Sequence, residues 1–367
     1  MDRNVSNTNG SDTEFEFPWI AVLSTAYIVL AVVGVVGNVL VVTVVLREQN
    51  MKTPTNCYLV SLAVSDTMFF LSALPPELHD LYIPDQYDFG QIGCMIQANR
   101  NIAAVHWSVT GHRRGSLITD VASVERYIGI CHPMRAMHIC TVSRARMITA
   151  GIWLFSVMYN APWLYLATLK QPDDTQIRCD FRLDRNSITY KAIYVGDCMV
   201  FYVLPMFLYV FLYTRIVIAL KSRLANTRDR KRTEPSQELI KKSSTFRKHA
   251  NNRQIVKMLA IVTVVFGVLW MPYKVLVLYN SFAIHKWTPP WYVYMSKVMI
   301  FVNAAINPIL YNMLSSKFRH AFRHCAQPGG HATRDSIRLA EQRRQRNESC
   351  REIRCTTNSK PNNATDF

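Results

Sequence analysis

The stretch Leu269-Trp-Met-Pro-Tyr273 lies within an apolar run from Ile255 to Phe282. A membrane-spanning helix needs about 20 mostly apolar residues, so the run is long enough to cross a bilayer. Pro272 removes one backbone hydrogen bond and clashes with the preceding turn, which predicts a kink in the middle of the helix. Trp270 and Tyr273 flank that kink. A functional aromatic pair at a hinge and a plain aromatic pair in a membrane bundle account for them about equally well.

The next apolar run ends in Asn303-Ala-Ala-Ile-Asn307-Pro308-Ile-Leu-Tyr311 and favours the functional interpretation. Asparagine and proline are costly in a membrane helix unless they face protein or water. Two asparagines and a second proline therefore indicate polar groups with a function inside a helix bundle. Two neighbouring helices with off-centre prolines are typical of a hinge.

Six apolar runs of helix length occur along the 367 residues, and a seventh, interrupted run lies between Cys94 and Ile130. The six runs are residues 19–46, 56–79, 145–169, 194–220, 255–282 and 291–313. A membrane β-barrel would instead show alternation over segments of about 10 residues. The predicted fold is all-α, a seven-transmembrane helix bundle over residues 19–313 followed by a short amphipathic helix at 314–325.

Basic residues are concentrated in particular segments between and after the spans. Residues 221–253 contain eleven lysines and arginines, and the tail at 326–367 is also basic, whereas residues 1–18 are acidic. Cytoplasmic segments of membrane proteins carry the excess of lysine and arginine. We therefore expect a multi-pass protein of the plasma membrane with an extracellular N-terminal tail (1–18), a cytoplasmic loop at 221–253 and a disordered cytoplasmic tail at 326–367.

The formal net charge of +17 is, by this topology, mostly a property of the cytoplasmic face. Such a face suits anionic membrane lipid, which we expect as a partner. Nucleic acid is not expected as a partner, because the basic residues flank membrane spans.

The same topology predicts three kinds of covalent modification. Asn4 and Asn9 begin glycosylation sequons on the extracellular tail, whereas the sequons at Asn347 and Asn363 lie on the cytoplasmic side and are discounted. Cys94 and Cys179 are both extracellular and close to the membrane, so we expect a disulfide between them. Cys325 follows Phe318 and Phe322 among basic residues, a pattern typical of an interfacial helix with a lipidated cysteine.

Asp66 is an ionisable carboxylate deep in the second apolar run. It is either a structural hydrogen-bonding residue or part of a site for water or an ion, with Asn303 and Asn307 facing it. A sodium ion is the candidate occupant of that site. In the first run, Gly34 and Gly37 permit close helix contact, and Asn38 predicts a hydrogen bond to another helix.

Glu125-Arg126-Tyr127 follows the interrupted third run, at the inner edge of the membrane. An acid beside an arginine at this position can hold a cytoplasmic face closed until the pair opens. The chain contains no phosphate-binding glycine-rich pattern, no Ser/His/Asp arrangement and no His/Cys metal constellation at catalytic spacing. We therefore predict that the protein is not an enzyme and binds no metal or organic cofactor apart from the candidate sodium ion.

Taken together, these motifs resemble the rhodopsin-like (class A) G-protein-coupled receptors. The resemblance is carried in order by Gly37-Asn38, Leu62-Ala-Val-Ser-Asp66, Cys94, Glu125-Arg-Tyr127, Trp153, Pro205, Trp270-Met-Pro272 and Asn307-Pro-Ile-Leu-Tyr311. It implies that Trp270 and Pro272 form a ligand-sensing toggle and hinge. It also implies that Arg126 and Tyr311, with Glu125 and Asn307, form the switch that admits a G protein.

Within this class the chain looks most like the thyrotropin-releasing hormone receptors. The supporting stretches are Thr53–Val64, Glu125–Pro133, Leu269–Tyr273, Asn280–Phe282 and Asn303–Pro308. The resemblance implies a short amidated neuropeptide as ligand and a Gq-class G protein that signals to phospholipase C and calcium, with arrestin as a further partner.

The resemblance also implies pocket residues. Trp270 lies at the base of the pocket, and Tyr273 matches the tyrosine that contacts the peptide. Lys274 and Lys297 stand where the family has arginines. Lysine keeps the charge but loses the planar fork, which puts bidentate contact with a ligand carbonyl in doubt. A related amidated peptide of invertebrate type is therefore as plausible a ligand as the hormone itself.

The third span departs from the family pattern. Cys94 precedes Arg126 by 32 positions, where the family uses about 25. The surplus falls near residues 105–115, and the adjacent Arg113 and Arg114 would each cost about 2.5–3.5 kcal/mol at a helix centre. Three interpretations remain: an insertion looped into a water-filled cavity, a displaced helix start, or a splice or gene-model artefact, which we favour because a clean family match resumes within ten residues.

Other function classes are weaker. Asn101 and Phe301 stand where aminergic receptors need an aspartate and opsins need a lysine. A polytopic transporter would share the broken helices and Asp66, but the inverted repeats expected of that class are not found. A receptor for a different short peptide, or a non-signalling product with a disrupted third helix, stays open.

Overall fold

The structure is a computed structural model and describes residues 11–83, 90, 103–173, 176–184, 186–233 and 239–326. The predicted sites Asn4, Asn9 and Cys94 lie outside these residues. The chain divides into two compact units, Met1–Phe318 and Arg319–Phe367. The second unit is described only up to residue 326, where a helix ends.

Helices dominate the described part of the chain. They are α1 (Ser11–Arg47), α2 (Pro54–Tyr82), α3 (Ala103–Cys131), α4 (Pro133–Ile139), α5 (Val142–Leu166), α6 (Ile188–Cys198), α7 (Leu204–Thr233), α8 (Leu239–Phe282), α9 (Pro290–Leu314) and α10 (Ser316–Ala326). A short 3-10 turn, Gln49–Met51, precedes α2, and a π-helical segment, Met199–Val203, joins α6 to α7. One antiparallel hairpin, β1 (Ala167–Asp173) and β2 (Gln176–Phe181), follows α5.

Among the described residues, five helical segments are long and apolar enough to cross a membrane: Pro18–Arg47, Pro54–Tyr82, Ile188–Ser222, Val256–Phe282 and Pro290–Leu314. The helices α3 and α5 complete a seven-helix bundle in which α6 and α7 act as one span. This arrangement confirms the predicted all-α bundle. The hairpin was not predicted, and α5 ends at Leu166, three residues before the predicted end of its span.

The segment 221–253 was predicted as a loop, but most of it is helical. The helix α7 continues to Thr233, and α8 begins at Leu239. Lysine, arginine, alanine and leucine are good helix formers, and a helix closes its own backbone hydrogen bonds without an apolar surrounding. The high charge of residues 221–253 therefore argued against a membrane span there, but it did not argue against a helix.

Close packing of α1 against α2 and α9 begins at the two glycines of α1. A Cβ on Gly34 would lie 2.1 Å from the Phe70 ring, and one on Gly37 would lie 3.0 Å from Pro308. Asn38, fully buried, donates to the Ala304 carbonyl oxygen of α9 at 3.1 Å. The predicted interhelical hydrogen bond of Asn38 is confirmed.

The third span is a continuous helix from Ala103 to Cys131. Residues 105–115 are therefore helical, and the interpretation of a looped insertion is wrong. Arg113 and Arg114 are both buried with partners, which offsets the cost of their charges. Residues 91–102 lie outside the described part of the chain, so a displaced helix start and a splice or gene-model artefact both stay predictions.

Candidate functional site

The aromatic pair of α8 lies at the centre of the bundle. Trp270 and Tyr273 are 3% and 5% exposed, and their rings meet edge to face at 6.4 Å between centroids. The Tyr273 hydroxyl is buried and has no hydrogen-bond partner among the described residues. A cavity of about 20 Å³ lies beside it, lined by Tyr194, Asp197, Cys198, Tyr273, Lys274, Val277 and Leu278. That volume holds about one water molecule.

One wall of this site is an ion cluster centred on Asp197, near the end of α6. One Asp197 carboxylate oxygen accepts from Arg113 Nε at 2.6 Å, and the other accepts from Lys274 Nζ at 3.1 Å. Arg113 also donates to the Asn160 side-chain oxygen and lies 4.6 Å from the Tyr159 ring. The cluster joins α3, α5, α6 and α8, and among the described residues it combines two cations with one carboxylate.

A second ion cluster surrounds Lys297 of α9. Its ammonium lies 2.8 Å from a Glu77 carboxylate oxygen and 3.5 Å from an Asp80 oxygen, both on α2. Lys297 and Glu77 are buried, and Asp80 is partly so. Among the described residues, this cluster combines one cation with two carboxylates. Sequence reasoning found Lys274 and Lys297 but missed Asp197, Arg113 and Glu77.

Tyr273 lies between the two clusters. Its hydroxyl interacts electrostatically with both Glu77 and Asp197. We call this arrangement, with Asp197, Lys274, Lys297 and Glu77 around Tyr273, the charged end of the bundle. The Tyr273 hydroxyl is buried, has no hydrogen-bond partner among the described residues and lies near charges of both signs. Such a group can form a hydrogen bond to a polar ligand.

A second cavity, of about 30 Å³, lies at mid-bundle. It is lined by Leu62, Asp66, Phe69, Gly115, Thr119, Val262, Phe266, Trp270, Ile300, Asn303, Ala304 and Asn307. Asn307 Nδ2 donates to an Asp66 carboxylate oxygen at 2.8 Å. The structure thus brings the three predicted polar residues together, with Trp270 in the same wall. Trp270 connects the charged end to this polar cavity.

The lining of this cavity includes groups that suit a hard cation, namely the Asp66 carboxylate and the side-chain oxygens of Asn303 and Asn307. The Asn307 amide turns its N–H group toward Asp66. Arg114 of α3 is also buried, and it stacks on the Trp153 ring at 4.3 Å.

The predicted switch residues do not form the predicted ion pair. Glu125 accepts a hydrogen bond from the Tyr58 hydroxyl of α2 at 3.0 Å. Its other carboxylate oxygen and Arg126 Nε are buried without hydrogen-bond partners among the described residues. Glu125 is thus hydrogen-bonded to Tyr58 of α2 and not to Arg126, which the sequence had suggested as its partner.

The same end of the bundle is closed by contacts that sequence reasoning missed. The Tyr213 hydroxyl of α7 lies 3.2 Å from Ser123 Oγ of α3 and 3.4 Å from Thr263 Oγ1 of α8. Beside it, Ile130, Ile216 and Val256 form a buried apolar cluster. We call this region the apolar end. It consists of Tyr213 with its two hydroxyl contacts and the cluster of Ile130, Ile216 and Val256, and it includes Glu125 and Arg126 of α3. It joins the three helices α3, α7 and α8.

The remaining predicted residues are placed as follows. Tyr311 is fully buried, and its ring lies 5.7 Å from Phe318. The Pro272 carbonyl oxygen accepts from the Tyr292 hydroxyl of α9 at 3.1 Å, which ties the proline segment of α8 to α9.

Cys179 is buried on β2 and is disulfide-bonded, and its predicted partner Cys94 lies outside the described residues. Cys325 lies in α10 and is not disulfide-bonded.

A bundle of seven helices with a central aromatic residue, a polar core and a closed three-helix end defines a class of transmembrane receptor. The 7 transmembrane receptor (rhodopsin family) profile matches residues 37–311. The chain belongs to this family and is a multi-pass membrane protein. Members of the family are receptors, which confirms that the chain is not an enzyme.

Individual relatives refine this result. The thyrotropin-releasing hormone receptor of Ovis aries is 37% identical over 310 residues, covering 81% of this chain and 75% of the relative. That of Gallus gallus is 38% identical over 305 residues, covering 79% and 74%. Neuromedin-U receptor 2 of Rattus norvegicus is 32% identical over 317 residues, covering 83% and 75%. The predicted resemblance to thyrotropin-releasing hormone receptors is confirmed.

Proposed function

We propose that the protein is a plasma-membrane receptor for a short amidated neuropeptide and that it activates a Gq-class G protein, phospholipase C and calcium release. The observation that carries this proposal is the buried Tyr273 hydroxyl, which has no hydrogen-bond partner among the described residues and lies near two buried ion clusters. The similarity to receptors for thyrotropin-releasing hormone supports a peptide ligand.

The clusters indicate what the ligand must offer. Lys274 and Lys297 each have a carboxylate partner already, so a ligand carbonyl has to share these cations with Asp197 and Glu77. A terminal amide supplies two N–H donors for the carboxylates and a carbonyl acceptor for the Tyr273 hydroxyl. A free terminal carboxylate beside Glu77 and Asp80 would meet like charge. This charge balance supports an amidated peptide at the Lys297 side.

Signal transmission follows from the shared wall of the two cavities. A ligand that moves Tyr273 also moves Trp270, whose ring meets Tyr273 edge to face and lines the polar cavity. The kink that Pro272 introduces lets the two halves of α8 change their relative angle. Outward motion of α8 would break the contact of Tyr213 with Thr263 and expose Arg126 to a G protein.

The first test is intracellular calcium in cells that express the full chain and are challenged with pairs of short peptides, each as amide and as free acid. We expect a saturable response that favours the amide, and a smaller amide preference in Glu77→Gln. Tyr273→Phe removes one hydroxyl and should weaken the response at unchanged surface expression. Normal surface expression without a response to any amidated peptide would overturn the proposed ligand class.

A second variant separates binding from signalling. Arg126→Ala should abolish the calcium response and leave peptide binding intact, because Arg126 lies at the apolar end of α3, whereas Arg113 of the same helix contacts Asp197 at the charged end. Unchanged signalling would argue against the proposed switch of Arg126, Glu125, Tyr311, Pro272 and Asn307. Blocking Gq chemically, with other G proteins left active, tests the proposed transducer.

The remaining assignments follow from the proposed topology, with the N-terminus outside and the C-terminus in the cytoplasm. They are glycosylation at Asn4 and Asn9, a disulfide between Cys94 and Cys179, lipidation of Cys325 and binding of arrestin and anionic lipid to the cytoplasmic face. Transcript sequencing across codons 100–120 tests the artefact hypothesis, because confirmation of every residue there would refute it.

A further inference from the structure

The side chain of Asn280, near the end of α8, closes the connection between α8 and α9. Its amide oxygen accepts from the Trp287 backbone N–H at 2.8 Å, and its amide N–H donates to the Trp287 carbonyl oxygen at 2.9 Å. Pro289 and Pro290, whose φ angles are fixed by their rings, then lead into α9. The two hydrogen bonds and the two prolines give this connection a defined shape.

Four aromatic rings pack around the connection. The centroid of the Trp287 ring lies 6.3 Å from that of Tyr279 and 5.1 Å from that of Tyr292. The Trp291 ring lies 5.5 Å from Tyr292. Trp287 and Trp291 are nevertheless 43% and 68% exposed. We call Tyr279, Trp287, Trp291 and Tyr292 the aromatic loop cluster, which is held by protein on one side and presents large apolar rings on the other.

The exposed surface of the aromatic loop cluster continues an apolar stripe of α8. The stripe residues are all exposed and recur every three or four positions, which places them on one side of the helix. They are Val264, Val268, Met271, Val275, Tyr279 and Phe282. All lie within Val256–Phe282, a segment long and apolar enough to cross a membrane, so the stripe faces lipid. Because Tyr279 belongs to both, the cluster lies where the lipid-facing surface reaches the end of the span.

We propose that the aromatic loop cluster binds the phospholipid headgroup region and anchors the α8–α9 connection to the bilayer through Trp287 and Trp291. Indole rings favour the boundary between acyl chains and headgroups, since the ring is apolar and its N–H can donate to ester and phosphate oxygens. Lys286, exposed directly before Trp287, adds a cation that suits the lipid phosphate. This inference does not depend on the identity of the peptide ligand or of the G protein.

The anchor is joined to the kink of α8. The Tyr292 ring packs against both tryptophans, and its hydroxyl donates to the Pro272 carbonyl oxygen at 3.1 Å. Lys274 of α8 and Lys297 of α9 each lie about two helical turns from the connection, so the anchor stands at the charged end of the bundle. Lipid contact at Trp287 and Trp291 therefore positions the ends of both helices beside the proposed ligand site.

The experiment measures tryptophan fluorescence of the purified full-length protein, one copy per phospholipid nanodisc, with bromine on the acyl chains as a contact quencher. The chain has seven tryptophans, so the emission of one is isolated as wild type minus its phenylalanine variant. Bromine near the headgroup should quench about half or more of the emission isolated with Trp287→Phe and with Trp291→Phe. Bromine near the ends of the acyl chains should quench it less.

The matched control is Trp270→Phe, the same substitution at a buried tryptophan of α8, whose isolated emission should be equal in brominated and unbrominated lipid. If the emission of Trp287 and Trp291 were as insensitive to bromine as that of Trp270, the proposal would be overturned, because the two rings would then be covered by protein or water. Stronger quenching by bromine at the chain ends would also overturn it, because the rings would then lie in the hydrocarbon core. Phenylalanine keeps an aromatic ring at each position, and equal Tm values confirm that the variants fold.

Discussion

The charged end and the apolar end of the bundle are held together by different interactions. Around Asp197 and Lys297, buried charges join the helices, with N···O distances between 2.6 and 3.5 Å. Around Tyr213, apolar side chains and uncharged hydroxyls do so, at 3.2 and 3.4 Å. Buried ion pairs are costly to break, whereas apolar contacts and long hydroxyl bonds are separated more cheaply. The charged end therefore provides a rigid frame for a ligand, and the apolar end provides the part that opens.

The largest expected effect is that of Asp197→Asn. The variant replaces the carboxylate that Arg113 and Lys274 share by a neutral amide, which should lower stability by about 3–5 kcal/mol. Surface expression and thermal unfolding measure the loss. The matched control is Asp184→Asn, because Asp184 is exposed and accepts from the Asn186 backbone N–H, which asparagine can also do. Equal stability of the two variants would mean that the Asp197 cluster does not hold the charged end.

Glu77→Gln should have a smaller effect on the same end. Lys297 keeps Asp80 at 3.5 Å, so the loss should be limited to about 1.5–3 kcal/mol for one charge-assisted hydrogen bond. A double-mutant cycle with Lys297→Met isolates the pair, since the two changes together remove both charges. Additive changes in the free energy of unfolding would be inconsistent with a direct Glu77–Lys297 interaction.

Ile216→Val probes the apolar end by removing one methylene-sized group from a fully buried side chain. The closed arrangement should lose about 0.5–1.5 kcal/mol, and basal calcium signalling should rise roughly fivefold for 1 kcal/mol. Ile218→Val is the control, because Ile218 is 58% exposed on the same helix. If both variants raised basal signalling equally, closure by the Ile130–Ile216–Val256 cluster would be excluded.

Tyr213→Phe should have the smallest effect. It removes two long hydroxyl contacts, worth together about 1 kcal/mol or less, so basal signalling should rise less than in Ile216→Val. Tyr202→Phe offers a comparison in the π-helical segment before α7, where the Tyr202 hydroxyl donates to the Gly267 carbonyl at 2.8 Å. That change should lower Tm without raising basal signalling. A basal rise in Tyr202→Phe alone would mean that the Tyr202–Gly267 contact, and not the Tyr213 contacts, holds the bundle closed.

Local patterns were sufficient for the residues that sequence reasoning placed well. The proximity of Asp66, Asn303 and Asn307 follows from polar residues in otherwise apolar helices, which must turn toward one another to avoid lipid. Asn38 was found by the same reasoning, since a lone amide in a membrane helix needs a partner on another helix. These predictions depend only on the high cost of unpaired polar groups in the hydrocarbon core of a membrane.

Sequence reasoning failed where the partner of a charge had to be known. Arg113 pairs with Asp197 across 84 positions, and Lys297 pairs with Glu77 across 220. Any carboxylate in the chain satisfies the chemistry, and only packing decides which one lies within reach. Arg113 and Arg114 were consequently interpreted as damage to the third span, because their cost was counted and their partners were not.

The sequence by itself determined that this protein is a seven-helix membrane receptor, because apolar length, proline position and intramembrane polar residues are constrained by the bilayer alone. Tertiary structure decided which charges pair with one another, that Glu125 bonds to Tyr58, and that Arg114 stacks on Trp153. The physical reason is one of range. Hydrophobic burial is a property of each segment, whereas a hydrogen bond or ion pair exists only when two distant segments meet within about 3–4 Å.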